Sequence, residues 1–362
     1  MADNQLASKQ ASKQASKQAR ENCIDVLKGM AMLAVVLIHF NNGWHSPSTF
    51  LSRVSAVGAR CPQMFFIISA YLTWTSLDRH PMSYISFLKK RYSRMAPLFY
   101  VAVVVAVLIP NFRLFDISIG NYVSHAFFVN GLNPLWYNSI IGVEWYVADL
   151  ALFYILTPAL RKIITGLKSG VVFFCLSIAL SSASLIFANR IFAEQIAKDV
   201  RFEMYFHTGV ILHQLPVMTI GVILYYIVKD IRGGRLNCWK VLAKSGAVTA
   251  IISGIFLTLH VNKKYMTSSL IAGLMFGCLF LLCCCISGEI WKGIVFVPVK
   301  CIGKHSYGIY CFHQIVINCV LALSIKNHSL PLWIATFILA AVTSCVLGIS
   351  MELIDDKIRK KL

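Results

Sequence analysis

A histidine at the far end of an apolar segment is the first residue of this sequence whose chemistry needs an explanation. The segment runs from Ile24 to Phe40, carries Asp25 and Lys28 near its start, and includes His39. An imidazole in a hydrophobic helix loses hydration and needs a partner, so it is a functional candidate, for example as a general base. The alternative is a histidine that caps a neighbouring helix or contacts lipid headgroups. The segment alone leaves both interpretations open.

Two acids and a second histidine follow in later apolar segments. Glu144 and Asp149 lie in SIIGVEWYVADLALFYILTPAL, where acids are costly and usually paired or functional. A carboxylate can orient an imidazole and stabilise its protonated form. Glu144 fits a position among headgroups equally well, whereas Asp149 is deeper and favours function. His313 lies inside another apolar segment, where a helix-packing hydrogen bond is the alternative to a chemical role.

Two arginines indicate a different chemistry, the binding of a phosphorylated ligand. Arg91 and Arg94 are three residues apart and therefore share one face of a helix. Two guanidiniums on one face suit phosphate groups that enter from the cytoplasm. Basic residues beside a membrane are also common decoration, which is our interpretation of Lys89 and Lys90. The residues alone favour decoration for the arginines as well.

The elements that must position these residues are transmembrane helices. Of the 362 residues, 57% are hydrophobic and 14% are charged, and the mean hydropathy is +0.68. Long apolar runs recur where a barrel would show short alternating segments. We predict an all-α polytopic membrane protein with about ten transmembrane helices. The candidate spans are Ile24–Phe40, Met64–Leu77, Pro97–Ile109, Ile140–Leu160, Val171–Phe187, Val210–Val228, Ala247–His260, Ser269–Ile286, Ser306–Ile325 and Leu332–Leu353.

The basic residues give the helices a direction. The net charge is +19, and with a cytoplasmic N-terminus only nine of the 34 Lys and Arg residues fall in outer loops. This distribution follows the positive-inside rule, so the charge reports topology and does not indicate nucleic acid as a partner. We predict that both termini are cytoplasmic. Lys28 then lies at the inner end of the first span and His39 about 16 Å further out.

Residues 7–18 read ASKQ three times. We predict a disordered repeat tail at residues 1–22, a membrane domain at 23–354 and a basic cytoplasmic tail at 355–362. A four-residue repeat is what a repeated four-base DNA unit, GCAA, encodes, and loss or gain of one unit shifts the reading frame. The repeat therefore indicates an on/off expression switch, as in bacterial genes that vary surface glycans. The twelve cysteines show no metal-ligand spacing, and we predict no metal site.

Five motifs in this order resemble the membrane acyltransferase-3 family. They cover nearly the whole chain after the repeat tail. The matching residues are Asp25, Lys28-Gly29 and His39 in the first span, FFIISAY with Ser69 in the second, RYSRMAPLFY with Arg91 and Arg94, WYVADLALFYILTP with Asp149, and GKHSYGIYCFH, which ends at His313. Three positions depart from the family pattern: Lys28 replaces an arginine, Ala70 replaces a glycine, and Asp149 lies one residue early.

The resemblance implies an enzyme that transfers an acyl group, usually acetyl, from acyl-CoA to an extracytoplasmic hydroxyl. Lys28, Arg91 and Arg94 would bind the CoA phosphates from the cytoplasmic side. His39 would act as general base or accept the acyl group itself. By the same resemblance, Asp149 would be the acidic residue of the family motif. Glu144, which lies just before the tryptophan of that motif, is the alternative for the same role.

The expected partners follow from the same resemblance. They are an acyl-CoA donor such as acetyl-CoA, used as a co-substrate with no bound cofactor, and a bacterial surface glycan or glycolipid of the lipopolysaccharide, lipooligosaccharide or capsule type. The expected location is the bacterial inner membrane. The alternative is a proton-coupled glycan or lipid transporter with His39, Asp149 and His313 as its relay. The sequence shows no inverted repeats, which many transporters have.

Overall fold

The structure, a computed structural model, describes residues 2–109, 117–234, 246–251, 253–254, 266–285, 293–324 and 329–361, with the backbone alone at 2–21, 266–268 and 285. Of these residues 86% are helical and none forms a strand, which confirms the predicted all-α class. The helices are α1 (Ala2–Gly43), α2 (Thr49–Val57), α3 (Pro62–Arg79), α4 (Tyr84–Leu108), α5 (Ile119–Ala126), α6 (Trp145–Ile163), α7 (Leu167–Ile191), α8 (Ala193–Lys198), α9 (Val200–Met204), α10 (Ile211–Arg232), α11 (Met266–Cys285), α12 (Val297–Lys304), α13 (Ser306–Leu323) and α14 (Leu330–Arg359).

Six spans of the described chain are long and apolar enough to cross a membrane. They are Asn22–Gly43, Tyr84–Leu108, Leu167–Ile191, Val200–Arg232, Ser306–Leu323 and Leu330–Arg359, and a shorter apolar helix covers Ser269–Cys284. The predicted count of about ten is not confirmed. Half of the candidate span Ala247–His260 lies outside the described residues.

Helix boundaries differ from the sequence prediction at two places that matter for function. Helix α4 begins at Tyr84, so Arg91 and Arg94 lie on a regular helix. Helix α6 begins at Trp145 and not at Ile140, because the backbone before it folds around Glu144. The structure also draws α1 through the ASKQ repeats, and the disordered tail stays a prediction.

The helices divide into an inner set and a lipid-facing set. Helix α3 is buried on nearly all sides and packs on α10, which also contacts α7 and α11. By contrast, α7 and α14 expose large apolar residues such as Val172 (68% exposed) and Val346 (60% exposed). Exposed apolar side chains on long helices are typical of contact with lipid.

Two helix crossings bring backbones into direct contact through glycine. A Cβ on Gly303 would lie 1.7 Å from the carbonyl oxygen of Asp25, and one on Gly29 would lie 2.0 Å from that of Val299. Only glycine permits this approach, which is a common device in membrane helix packing. The first crossing fixes α12 against the inner part of α1. The second, between Gly308 of α13 and Gly348 of α14, holds the helix that carries His313.

Candidate active site

One pocket gathers the cations that the sequence predicted to bind phosphate. It is a cavity of about 160 Å³ between α1, α3, α4, α6, α12, α13 and α14. Its polar lining includes Lys28, Ser69, Arg91, Arg94, Lys304 and Glu352. Four cations and one acid make the pocket suitable for a ligand with several negative charges.

Arg91 is held between two aromatic rings. Its guanidinium carbon lies 5.4 Å from the ring centroid of Phe87 and 5.2 Å from that of Tyr154. Cation–π contacts of this kind hold a guanidinium plane in place and leave its edge available for hydrogen bonds. Its Nε is buried and has no hydrogen-bond partner. Arg91 is therefore preorganised for a ligand that supplies acceptors.

Lys28 is paired within its own helix. Its Nζ lies 2.8 Å from Oδ1 of Asp25, three residues earlier on α1, and both side chains are partly exposed. The pair gives Asp25, a family-motif position, a clear contact. Because of this ion pair, part of the positive charge that Lys28 brings to the pocket lining is already balanced by Asp25.

Lys304 is a pocket residue that the sequence argument missed. It ends α12, and the glycine crossing at Gly303 and Gly29 places it beside Lys28 in the pocket lining. The sequence showed it only as one more basic residue on the cytoplasmic side. Its position between Gly303 and the SYGIY motif is the sequence feature that could have indicated a place in the pocket.

Glu352 supplies the acid of the pocket wall. One of its oxygens, Oε2, accepts a hydrogen bond from the Gly308 N–H at 3.1 Å and lies 3.8 Å from Nδ1 of His305. The close approach of α13 and α14 brings it there, because both helices carry glycine at the crossing. The carboxylate is thus anchored to the α13 backbone and limits the positive charge of the pocket.

His39 and His313 form the second part of the site. Their ring centroids are 5.2 Å apart, with the planes tilted by 57°. His39 is partly exposed, whereas His313 is fully buried and places Nδ1 2.7 Å from the carbonyl oxygen of Tyr310. Nε2 of His313 is buried and has no hydrogen-bond partner. Two residues 274 positions apart in sequence are therefore direct neighbours.

Aromatic side chains connect the pocket with the histidine pair. Tyr146 lines the pocket and lies 5.1 Å from Tyr310, measured between ring centroids. Tyr310 in turn lies 5.5 Å from His313. The same two regions are joined along α1, since Lys28 lines the pocket and His39 follows eleven residues later, about 16 Å along the helix.

Asp149 lies elsewhere. It is fully buried on α6, and neither carboxylate oxygen has a hydrogen-bond partner. Its Oδ1 faces Gly131, where an added Cβ would lie 3.4 Å away, and the neighbouring Asn130 is equally buried and unpartnered. Within the described part of the chain, Asp149 makes no hydrogen bond or ion pair with His39. The acid–histidine pair expected from the sequence is not formed by this residue.

Glu144 is bound by the backbone that precedes α6. Its Oε1 accepts hydrogen bonds from the N–H groups of Ile140 (2.7 Å) and Ile141 (3.1 Å), and its Oε2 from those of Gly142 (2.6 Å) and Val143 (2.8 Å). These contacts stabilise the loop and leave no contact with His39 among the described residues. Glu144 therefore anchors the loop, and no contact among the described residues supports its predicted catalytic role.

A buried histidine completes this arrangement. His125 faces two oxygen acceptors, with Nε2 3.1 Å from Oε1 of Glu144 and Nδ1 2.7 Å from the carbonyl oxygen of Asn121, so it donates to both when doubly protonated. The two oxygens of Glu144 thus face four backbone N–H groups and the His125 ring, which is an environment suited to an ionised carboxylate.

No three His, Cys, Asp or Glu residues of the described ranges lie together as metal ligands.

Six membrane-length helices among the described residues, a cationic pocket and a histidine pair define an integral membrane protein with an internal polar site. A family model described as an acyltransferase domain matches residues 21–351 of the chain. The chain belongs to this family, the acyltransferase-3 family, and is a multi-pass membrane acyltransferase. No curated protein matches it.

Proposed function

We propose that this acyltransferase moves an acyl group, in particular acetyl, from acyl-CoA to a hydroxyl of a bacterial cell-surface glycan. The observation that carries the proposal is the layout of α1, which presents Lys28 to a cationic pocket at one end and His39 to a second histidine at the other. Coenzyme A has the matching form, because its phosphates lie at one end and its thioester at the end of a long arm.

The cations of the pocket bind the phosphate groups of the donor in this proposal. Arg91 contributes a fixed guanidinium, Arg94 adds charge from the same helix, and Lys28 adds charge from α1. Charge-assisted hydrogen bonds of this kind are about twice as strong as neutral ones. The pantetheine arm then passes the Tyr146–Tyr310 contact and brings the thioester to His39.

His39 acts on the acceptor hydroxyl, either as general base or by first accepting the acyl group. General-base assistance contributes about 10²–10⁴-fold to a rate. Holding thioester and hydroxyl together away from water contributes more. The donor comes from the cytoplasm and the acceptor, a lipopolysaccharide, lipooligosaccharide or capsule precursor, from the other side of the bacterial inner membrane. This direction is supported by the basic inner loops.

Replacement of His39 by alanine tests the proposal. We expect His39→Ala to lower transfer of radiolabelled acetyl from acetyl-CoA to the membrane glycan fraction by at least about a hundredfold at equal expression, because the base is lost. The assay uses vesicles of both orientations, and transfer should require acetyl-CoA on the cytoplasmic side.

His45→Ala is the matched control, since His45 lies beyond the end of α1 and is exposed. Its transfer rate should equal that of the wild type. Unchanged transfer in His39→Ala would overturn the catalytic assignment. A wild-type protein that binds no acetyl-CoA but moves a glycolipid across the vesicle membrane would support the transporter instead.

A further inference from the structure

His313 presents one fixed and one free nitrogen within the membrane domain. Nδ1 lies 2.7 Å from the carbonyl oxygen of Tyr310. A carbonyl oxygen can only accept, so Nδ1 carries the proton and donates. In the neutral imidazole, Nε2 is then an acceptor with a free lone pair. This atom is buried and has no hydrogen-bond partner, so the backbone at Tyr310 fixes which nitrogen of His313 can serve another group.

His39 is the chemical neighbour of that free nitrogen. The two rings are 5.2 Å apart between centroids, which is close enough for their edges to form a hydrogen bond after a small rotation. His39 is partly exposed and His313 is 0% exposed, so His39 is the more accessible of the two rings. No carboxylate of the described residues contacts His39. In hydrolases, the group behind the catalytic histidine sets its tautomer and stabilises its protonated form.

We propose that His313 is the positioning residue of His39. Its Nε2 accepts a hydrogen bond from the His39 N–H, fixes the tautomer of His39 and stabilises the imidazolium that forms during transfer. The inference rests on the proposed acyl transfer. Hydrogen bonds of this kind are often long in the free enzyme and shorten when substrate binds.

In the general-base route, the outward nitrogen of His39 takes the proton of the acceptor hydroxyl, and the hydroxyl oxygen forms a bond to the thioester carbonyl carbon. The carbon–sulfur bond then breaks, and His39 returns the proton to the CoA thiolate. The products are the O-acyl glycan and free CoA. His313 keeps its own proton on Nδ1 throughout, because the Tyr310 carbonyl holds it.

Three substitutions at one position test the proposal. His313→Leu removes the acceptor and keeps an apolar side chain, His313→Gln places an amide oxygen near the site of Nε2, and His313→Asn keeps a donor for Tyr310 but no acceptor for His39. The readout is kcat and KM for transfer of radiolabelled acetyl from acetyl-CoA to the membrane glycan fraction. We expect Leu and Asn to lower kcat about a hundredfold and Gln about tenfold, with KM unchanged because the cationic pocket is intact.

His213→Leu is the matched control. His213 is another buried histidine whose Nε2 donates to a backbone carbonyl, that of Phe206, but it lies on α10 and makes no contact with His39. Its kcat should stay within about twofold of the wild type, the ordinary effect of a substitution outside the site.

Wild-type kcat in His313→Leu or His313→Asn would overturn the inference. Equal losses in the Gln and Asn variants would also overturn it, because a merely structural histidine would not distinguish them. If the Leu variant does not fold, the Gln and Asn pair decides. Failure of the proposed function gives another pattern, in which the wild type transfers no acetyl or His39→Ala transfers it fully.

Discussion

Each cation of the pocket has a different environment, and its contribution to binding follows from that environment. Arg91 is held by two rings, and Lys28 already has a carboxylate partner at 2.8 Å. Lys304 lines the same pocket from α12, and no ion pair of Lys304 is found in the described part of the chain. A cation without a partner gains more from a phosphate than one that must share its charge.

We therefore expect Lys304→Gln to weaken CoA binding by about tenfold, the effect of losing roughly 1.4 kcal/mol of charge-assisted binding. Arg91→Gln should weaken CoA binding at least as much, since this substitution also removes the guanidinium that is held between Phe87 and Tyr154. Calorimetric titration of the purified protein with CoA measures both. Lys90→Gln is the control, because Lys90 is exposed and does not line the pocket. An unchanged dissociation constant for Lys304→Gln would exclude this lysine from the donor site.

Residue types predicted part of this site, and the tertiary contacts supplied the rest. The spacing of Arg91 and Arg94 predicted a shared face, and the structure places both in one pocket with Lys28. The expected carboxylate beside His39 is not observed within the described residues, and His313 is there instead. Sequence spacing could not reveal this neighbour, because the contact depends on how α13 packs against α1.

At the scale of elements, the loop before α6 is organised by a single carboxylate. Four consecutive backbone N–H groups, from Ile140 to Val143, point at Glu144. The Tyr310 hydroxyl donates to the Val143 carbonyl oxygen and ties this loop to α13. The apolar pattern from Ile140 onwards predicted continuous helix, since hydropathy does not report a backbone that is bound by a side chain. The loop thus links Glu144 to the helix that carries His313.

Removal of the charge at this position should destabilise the protein. Glu144→Gln replaces one acceptor oxygen by an NH₂ group that faces backbone donors, so at least two N–H groups lose their partner. We expect a loss of about 3 kcal/mol in the free energy of unfolding, from broken bonds to a buried charged group. Thermal unfolding in detergent, followed by tryptophan fluorescence, measures it.

Glu194→Gln is the control for that substitution, because Glu194 forms an exposed ion pair with Lys198. Pairs of this kind contribute at most about 1 kcal/mol, so its melting temperature should hardly change. A Glu144→Gln protein as stable as the wild type would show that the loop does not depend on the carboxylate.

At the scale of the whole molecule, composition predicted the all-α membrane class, while the number of spans could not be fixed from hydropathy. Helices α3 and α6 are short and carry polar or charged residues, yet they lie in the interior next to the site. Their polar residues lower the hydropathy that a span count relies on and supply the pocket lining. Both helices overlap spans that the sequence predicted, Met64–Leu77 and Ile140–Leu160, although neither is among the six spans of the described chain that are long and apolar enough to cross a membrane.

The ASKQ repeats belong to this scale, since they concern whether the chain is made at all. We propose that a GCAA tract in the gene switches expression by frame shifting. Sequencing the tract in sibling colonies should show unit numbers that vary, and only in-frame colonies should carry the acyl group on their surface glycans by mass spectrometry. An invariant tract, or codons other than GCA-AGC-AAG-CAA, would contradict the proposal.

Helix α1 fixes the distance between Lys28 and His39. Because Lys28 and His39 lie on one continuous helix, the separation between the donor's charged end and the reacting group is set by eleven residue steps of about 1.5 Å. If the proposed donor binds in this way, a donor with a shorter arm would not reach from the cationic pocket to His39, however well its phosphates bind. One residue inserted between Lys28 and His39 would rotate His39 about 100° away from His313. It would also increase the separation of the two residues by about 1.5 Å. In the proposed reaction, α1 would therefore select donors by the length of their arm as well as by their charge.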